Sequence, residues 1–148
     1  MRTLHTLPSL AAFALCALIA CSPKGDVKPQ RSLYERLGEK NAIEAVVGEM
    51  LETVKQDERI KGKFANSNLD DLKNKLVDQI CQVSGGPCTY GGKNMKEAHT
   101  GMGISGAEFT AMVEDLVKAL DKFKVPEADK KELLSALGAM QKDIVENP

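Results

Sequence analysis

From Leu33 onward, apolar residues recur at intervals of three and four, the spacing that gathers side chains on one face of a helix. Ala42, Ile43, Val46, Val47, Met50, Leu51 and Val54 predict a first helix of about four turns. Leu69, Leu72, Leu76, Ile80 and Val83 predict a second, with Asp70, Asp71, Lys73, Asn74 and Asp78 largely on its outer side. A third opens at Ser105, where Glu108 three residues on completes a capping box. It continues through Phe109, Met112, Val113, Leu116, Val117 and Leu120 to about Phe123, where Lys124-Val125-Pro126 stops it. A fourth carries Leu133, Leu134, Leu137, Met140, Ile144 and Val145 inward. No stretch alternates as a half-buried strand does. The expectation is an all-α domain of four long helices, with a short leading turn and a short helix ending near His99.

The pattern breaks down before Leu33. Leu10 to Ala20 is an apolar run behind a single basic residue, Arg2, and is too short to span a bilayer comfortably, as in a secretory signal. It ends in Leu18-Ile19-Ala20-Cys21, which resembles a bacterial lipobox and implies a lipid on Cys21; an uncleaved anchor or a plain signal peptide is the alternative. Ser22 to Arg31, with Pro23, Gly25 and Pro29 among charged residues, predicts a flexible tether. The expected organisation is a signal peptide over 1–20, a lipid-anchored tether over 21–31 and a globular domain over 32–148, facing the periplasm from the bacterial cell envelope. A body of this size is an ordinary single domain.

Composition narrows the function. Twenty basic and 21 acidic residues give a net charge of -1 with both signs interspersed, so there is no basic stripe for nucleic acid. Without tryptophan, base stacking is poorly served as well. In an oxidising compartment, Cys81 at a helix end and Cys88 just past the Gly85-Gly86-Pro87 turn can fold back to a disulfide; a pair of free thiols is the alternative. Their spacing matches neither a zinc knuckle nor the Cys-x-x-Cys-His signature of covalent haem attachment.

His99 is the one histidine outside the leader. Met95 and Ala98 precede it, and Gly101 and Gly103 follow, where the chain can leave a helix and pass close to something flat or bulky. That setting suits an axial ligand on a haem iron. By position alone, a single histidine is more often a surface or hydrogen-bonded core residue than a metal ligand. A single histidine excludes multi-histidine metal sites, and no glycine-rich phosphate loop or nucleophile elbow is present.

The order of several fragments settles the choice by resemblance. Leu33-Tyr34-Glu35-Arg36-Leu37-Gly38, Ala42-Ile43-Glu44-Ala45-Val46-Val47, Gly85-Gly86-Pro87, Tyr90-x-Gly92, Met95-Lys96-x-Ala98-His99-x-Gly101-x-Gly103-Ile104 and Val125-Pro126 together resemble the group I truncated hemoglobins from Ser32 to Val145. The resemblance implies a two-over-two globin sandwich, a non-covalent haem b and His99 as proximal iron ligand. It places Met50, Leu51, Phe64, Leu72, Lys75 and Leu76 on the distal side. Met95, Met102, Ile104, Phe109, Val113 and Leu116 are expected as proximal and haem-edge contacts, with Tyr90 and Lys93 near the propionates.

The sequence departs from the family on the distal side, where leucine stands at Leu51, Leu72 and Leu76 in place of the tyrosine and glutamine of many members. Without those donors, fast oxygen release is expected. Lys75 is expected to pair with a propionate or, as a neutral amine, to ligate the iron as a sixth ligand. The expected function is reversible binding of oxygen, nitric oxide or carbon monoxide, with a separate reductant and no enzymatic activity required. Two alternatives stand beside it: conversion of nitric oxide to nitrate, and a haem-free envelope interaction module.

Overall fold

The computed structural model describes residues 30–147; the expected signal peptide, Cys21 and nearly all of the expected tether lie outside them. Among the described residues eight helices follow in order: α1 (Leu33–Leu37), α2 (Glu39–Val54), α3 (Lys61–Phe64), α4 (Leu69–Val83), α5 (Met95–His99), α6 (Gly106–Lys122), α7 (Glu127–Gly138) and α8 (Gln141–Ile144). Among the described residues there is no strand, only an isolated bridge between Ser105 and Asn147. No helix there is long and apolar enough to cross a membrane.

The local signals act as their chemistry requires. Ser32 and Glu35 form a capping box at the start of α1, and Ser105 and Glu108 form another at the start of α6. Asn68 accepts the amides of Asp70 and Asp71 to begin α4, and Asn94 accepts that of Glu97 to begin α5. The third long helix ends one residue before Phe123, and Lys124 turns the chain with a φ of 56°.

The packing centres on α2, which lies against both α4 and α6, while α7 closes on α1, α4 and α6. Ile43, Val46, Val47, Met50, Leu51 and Val54 of α2 meet Val77, Ile80 and Cys81 of α4, Ala111, Leu116, Ala119 and Leu120 of α6, and Leu133 of α7. Arg36 of α1 is pinned to α7 by Asp129 at 2.7 Å and by Glu132. Cys81 and Cys88 are joined as a disulfide with Cα atoms 5.7 Å apart, tying the end of α4 to the loop that leads to α5. Gly86 inside that loop leaves no room for a side chain: a Cβ there would fall 2.5 Å from the Tyr34 ring and 2.7 Å from Cys81 Sγ.

Two features differ from the sequence expectation. The stripe of α4 is split: Val77, Ile80 and Cys81 enter the core, whereas Leu72 and Leu76 stay half-buried on a neighbouring face. The fourth helix is broken, because α7 ends at Gly138, a poor helix former, and α8 starts again at Gln141. The break turns Met140 and Ile144 toward the same region that Leu72 and Leu76 face.

Candidate functional site

That region is a cavity of about 350 Å³. Protein interiors pack to near crystal density, so a hollow of this size, lined mostly by apolar side chains, is shaped for a bulky apolar guest. Met50 of α2, Ile60, Phe64 of α3 and Leu72, Leu76 and Ile80 of α4 contribute to one side. Met95, Ala98 and His99 of α5, Met102, Ile104, Phe109, Met112, Val113 and Leu116 contribute to the other, with Leu137, Met140 and Ile144. Polar groups at the lining are few: Lys63, Ser67, Lys75, Gln79, Tyr90, His99 and Glu108.

His99 is held in a single orientation. Its Nδ1 lies 2.7 Å from the Met95 carbonyl oxygen, one turn earlier on α5, so the proton belongs on Nδ1 and Nε2 keeps its lone pair for the cavity. After His99 the backbone bends through Gly101 and Gly103, with φ of 83° and 60° that a side chain would strain. Glu146, near the C-terminus, accepts the amides of Gly101 at 2.7 Å and Gly103 at 2.6 Å, and these two bonds hold its carboxyl below the usual range. Lys63 donates to the carbonyls of Met102 at 2.9 Å and Gly103 at 3.3 Å and pairs with Glu108 at 3.4 Å. The Glu108 carboxyl is also lowered, first by the backbone amide of its capping partner Ser105.

The opposite side has little to offer a guest by way of hydrogen bonds. Leu72 and Leu76 provide none. The Gln79 side chain is buried, but its amide is turned toward the thioethers of Met95 at 3.2 Å and Met140 at 3.4 Å. The Tyr90 hydroxyl donates to the Lys93 carbonyl at 2.9 Å. Lys75 reaches the cavity edge half-exposed, and its ammonium donates to Asp71 at 2.6 Å. That hydrogen bond, with the charge behind it, raises the Lys75 pKa, so the neutral amine that iron ligation requires is disfavoured while Asp71 holds it.

Of the residues picked out from sequence, Met50, Phe64, Leu72, Lys75, Leu76, Tyr90, Met95, His99, Met102, Ile104, Phe109, Val113 and Leu116 line the cavity together. Leu51 and Lys93 do not. Leu51 is buried in the central core beside Met50, which takes the cavity-facing position one residue earlier. Lys93 is exposed and contributes its backbone carbonyl to Tyr90. Sequence reasoning passed over Ile60, Lys63, Ser67, Ile80, Ala98, Glu108, Met112, Leu137, Met140 and Ile144. Met112 and Leu137 were visible as helical stripe residues, with no signal to separate cavity from core.

An all-helical frame around an apolar hollow, with one imidazole in its lining, is the layout of a globin. The bacterial-like globin family model matches residues 32–146, and the chain belongs to that family, among its group 1 truncated hemoglobins. It is 36% identical over 118 residues to the group 1 truncated hemoglobin of Tetrahymena pyriformis, covering 80% of this chain and 97% of the relative. It is 34% identical over 113 residues to that of Mycolicibacterium paratuberculosis, covering 76% and 83%. The crystal structure of the Tetrahymena pyriformis protein in its Fe(III) form superposes with a TM-score of 0.75 at 35% identity, covering 78% of this chain and 98% of that one. The 2/2 hemoglobin of Synechococcus sp. PCC 7002, in the cyanomet state with covalently attached heme, gives 0.73 at 28% identity over 79% and 100%. The fold is the two-over-two helical sandwich of these proteins.

Proposed function

We propose that the protein binds diatomic gases reversibly at a haem b held non-covalently in this cavity, with His99 as its axial ligand. The observation that carries the reading is the His99 ring, fixed through Nδ1 to Met95 with Nε2 left free at the wall of an apolar hollow. A haem bound here would supply an iron able to take a diatomic gas. The protein residues do the rest. His99 supplies one ligand of fixed tautomer, Phe109, Val113 and Leu116 support its side of the cavity, and Lys63 and Lys75 bring positive charge to the edge, where propionates require it. Among the described residues, no thiol and no second imidazole lines the cavity, which favours non-covalent attachment.

Leu72 and Leu76 offer the gas no hydrogen bond, and the amide of Gln79 is already directed to two thioethers. A donor to a charged acceptor contributes about 1.5–3 kcal/mol. Its absence speeds oxygen release by roughly 10- to 150-fold, while carbon monoxide depends on it less. This favours gas binding or sensing over nitric oxide dioxygenation, which needs a long-lived oxygen complex. We further propose that the protein works from a lipid anchor at Cys21 in the bacterial envelope, receiving electrons from a separate reductant. The run Leu18-Ile19-Ala20-Cys21 and the Cys81–Cys88 disulfide support that placement.

The test is the absorption spectrum of the purified protein in ferric, ferrous and carbon monoxide forms. A Soret band that moves with each state, and a five-coordinate ferrous form, are expected. Haem-supplied protein with no Soret band would sink the proposal and leave the haem-free module standing. A low-spin ferrous spectrum that disappears in Lys75→Ala would instead assign Lys75 as sixth ligand, displaced from Asp71.

A further inference from the structure

α5 is only five residues long, far below the length at which a helix holds itself together in water. The Met95 contact that orients His99 therefore depends on groups that hold α5 from outside. At the N-terminal end Asn94 serves as cap, its side chain accepting the Glu97 amide at 2.9 Å. At the other end Thr100 is followed by two glycines, the residues with most conformational freedom to lose. Among the described residues, their side-chain partners come from far along the chain or across the cavity mouth.

The C-terminal tail lies alongside this loop. The amides of Glu146 and Asn147 donate to the Ile104 carbonyl at 2.9 Å and 3.2 Å, and the Gly106 amide donates to the Asn147 carbonyl at 3.1 Å. This pairing sets the Glu146 carboxylate against the loop, where one oxygen takes the Gly101 amide and the other the Gly103 amide. Charge-assisted bonds to backbone amides are among the stronger ones available. The amide between them, that of Met102, turns back and donates to the His99 carbonyl at 3.1 Å. Fixing Gly101 and Gly103 therefore fixes the last turn of α5, and with it the geometry in which His99 Nδ1 reaches Met95.

We propose that Glu146 is the positioning residue of His99: its carboxylate, brought in by the C-terminal tail, clamps the Gly101–Gly103 loop and so sets the direction of the imidazole. Where function is concerned this rests on His99 being the iron ligand. The substitution series is graded by acceptor count, since a carboxylate offers two oxygens, a carboxamide one and alanine none. Glu146 is exposed, so its variants fold; Asp143→Asn, a nearby charge change outside the clamp, serves as control.

The first measurement needs no haem: ¹⁵N shifts of the His99 ring in ligand-free protein, with amide hydrogen exchange at Gly101 and Gly103. Exchange at both glycines is expected to rise roughly tenfold or more in Glu146→Ala. Glu146→Gln should show the rise mainly at one glycine, and in both variants His99 should pass from the Nδ1-protonated tautomer to a mixture. The second measurement is the iron–histidine stretching band of the ferrous haem protein, expected to shift and broaden in the order alanine, glutamine, wild type. Faster glycine exchange with an unchanged His99 tautomer overturns the proposal, as does unchanged exchange in Glu146→Ala. A wild-type protein lacking the iron–histidine band overturns the haem reading instead, and the tautomer comparison still decides the role of Glu146.

Discussion

The two sides of the cavity are built on opposite principles. On the side of α5 and α6 nearly every polar atom near His99 is committed: Nδ1 to Met95, the following amides to Glu146, the following carbonyls to Lys63, and the helix start to Asn94. On the side of α2 and α4, Met50, Leu72 and Leu76 present hydrocarbon and thioether, and the nearest amide is turned away. One side fixes a single atom in a single direction, and the other only excludes water. A site of this kind specifies where its cofactor binds and exerts little grip on what binds opposite.

The most severe way to break the comparison is to remove the atom that the first side positions. His99→Gly is expected to abolish haem retention at equimolar haem, measured as loss of the Soret band, and added imidazole should restore it by occupying the space left. Retention of an unaltered spectrum would mean that the ligand is another residue. Next in size is an attempt to make the second side resemble a gripping one. Leu76→Gln places a carboxamide on the cavity face of α4 and is expected to slow oxygen dissociation by roughly 10- to 150-fold in stopped flow, with a smaller change for carbon monoxide. An unchanged oxygen rate would show that the apolar side is not what sets release.

These two sides were not equally legible in the sequence. The short α5 and the Ser105–Glu108 box are set by neighbours three or four residues apart, and local pattern is enough to read them. The grip on the loop after His99 is not local: Glu146 acts across 43 and 45 residues and Lys63 across 39 and 40, and nothing in their immediate sequence marks them. Leu51 shows a different limit. Met50 and Leu51 are both apolar and both buried, and one step along a helix rotates by about 100°, so periodicity leaves open which of the two meets the cavity. The split of α4 into a core face and a cavity face was hidden for the same reason, because a leucine facing a cofactor and a leucine facing core look alike in a hydrophobic stripe.

Two of the links between the sides separate stability from function. The Cys81–Cys88 bridge ties the end of α4 to the approach to α5, closing a loop with a sequence separation of 7. The double variant Cys81→Ser, Cys88→Ser is expected to lose about 2–3 kcal/mol through the freer unfolded chain. That corresponds to a Tm lower by roughly 5–15 °C in calorimetry, with the spectrum of the haem complex unchanged at room temperature. A spectral change at constant Tm would mean that the bridge shapes the site rather than the fold.

The second link gives the smallest effect and the most direct reading of charge. Arg59, in the bend between α2 and α3, donates to Asp57 at 2.6 Å and to Glu114 of α6 at 2.6 Å, bridging from one side of the cavity to the other. Side-chain and then backbone hydrogen bonds from Arg59 lower the Asp57 pKa from 3.8 to about 2. A depressed carboxylate stabilises the folded chain fully above its unfolded pKa, and the contribution is lost as pH falls through the folded one. The contact is therefore intact at neutral pH and weakens only from about pH 4 down to about 2. Carboxyl NMR titration should give an Asp57 midpoint near 2, and Arg59→Gln should return it toward 3.8. Because this link carries charge between the sides without touching His99, the same variant is expected to leave the iron–histidine band in place. A shifted band would show that the bend between α2 and α3 also helps to aim the imidazole, and the division between a gripping side and an excluding side would then have to be redrawn.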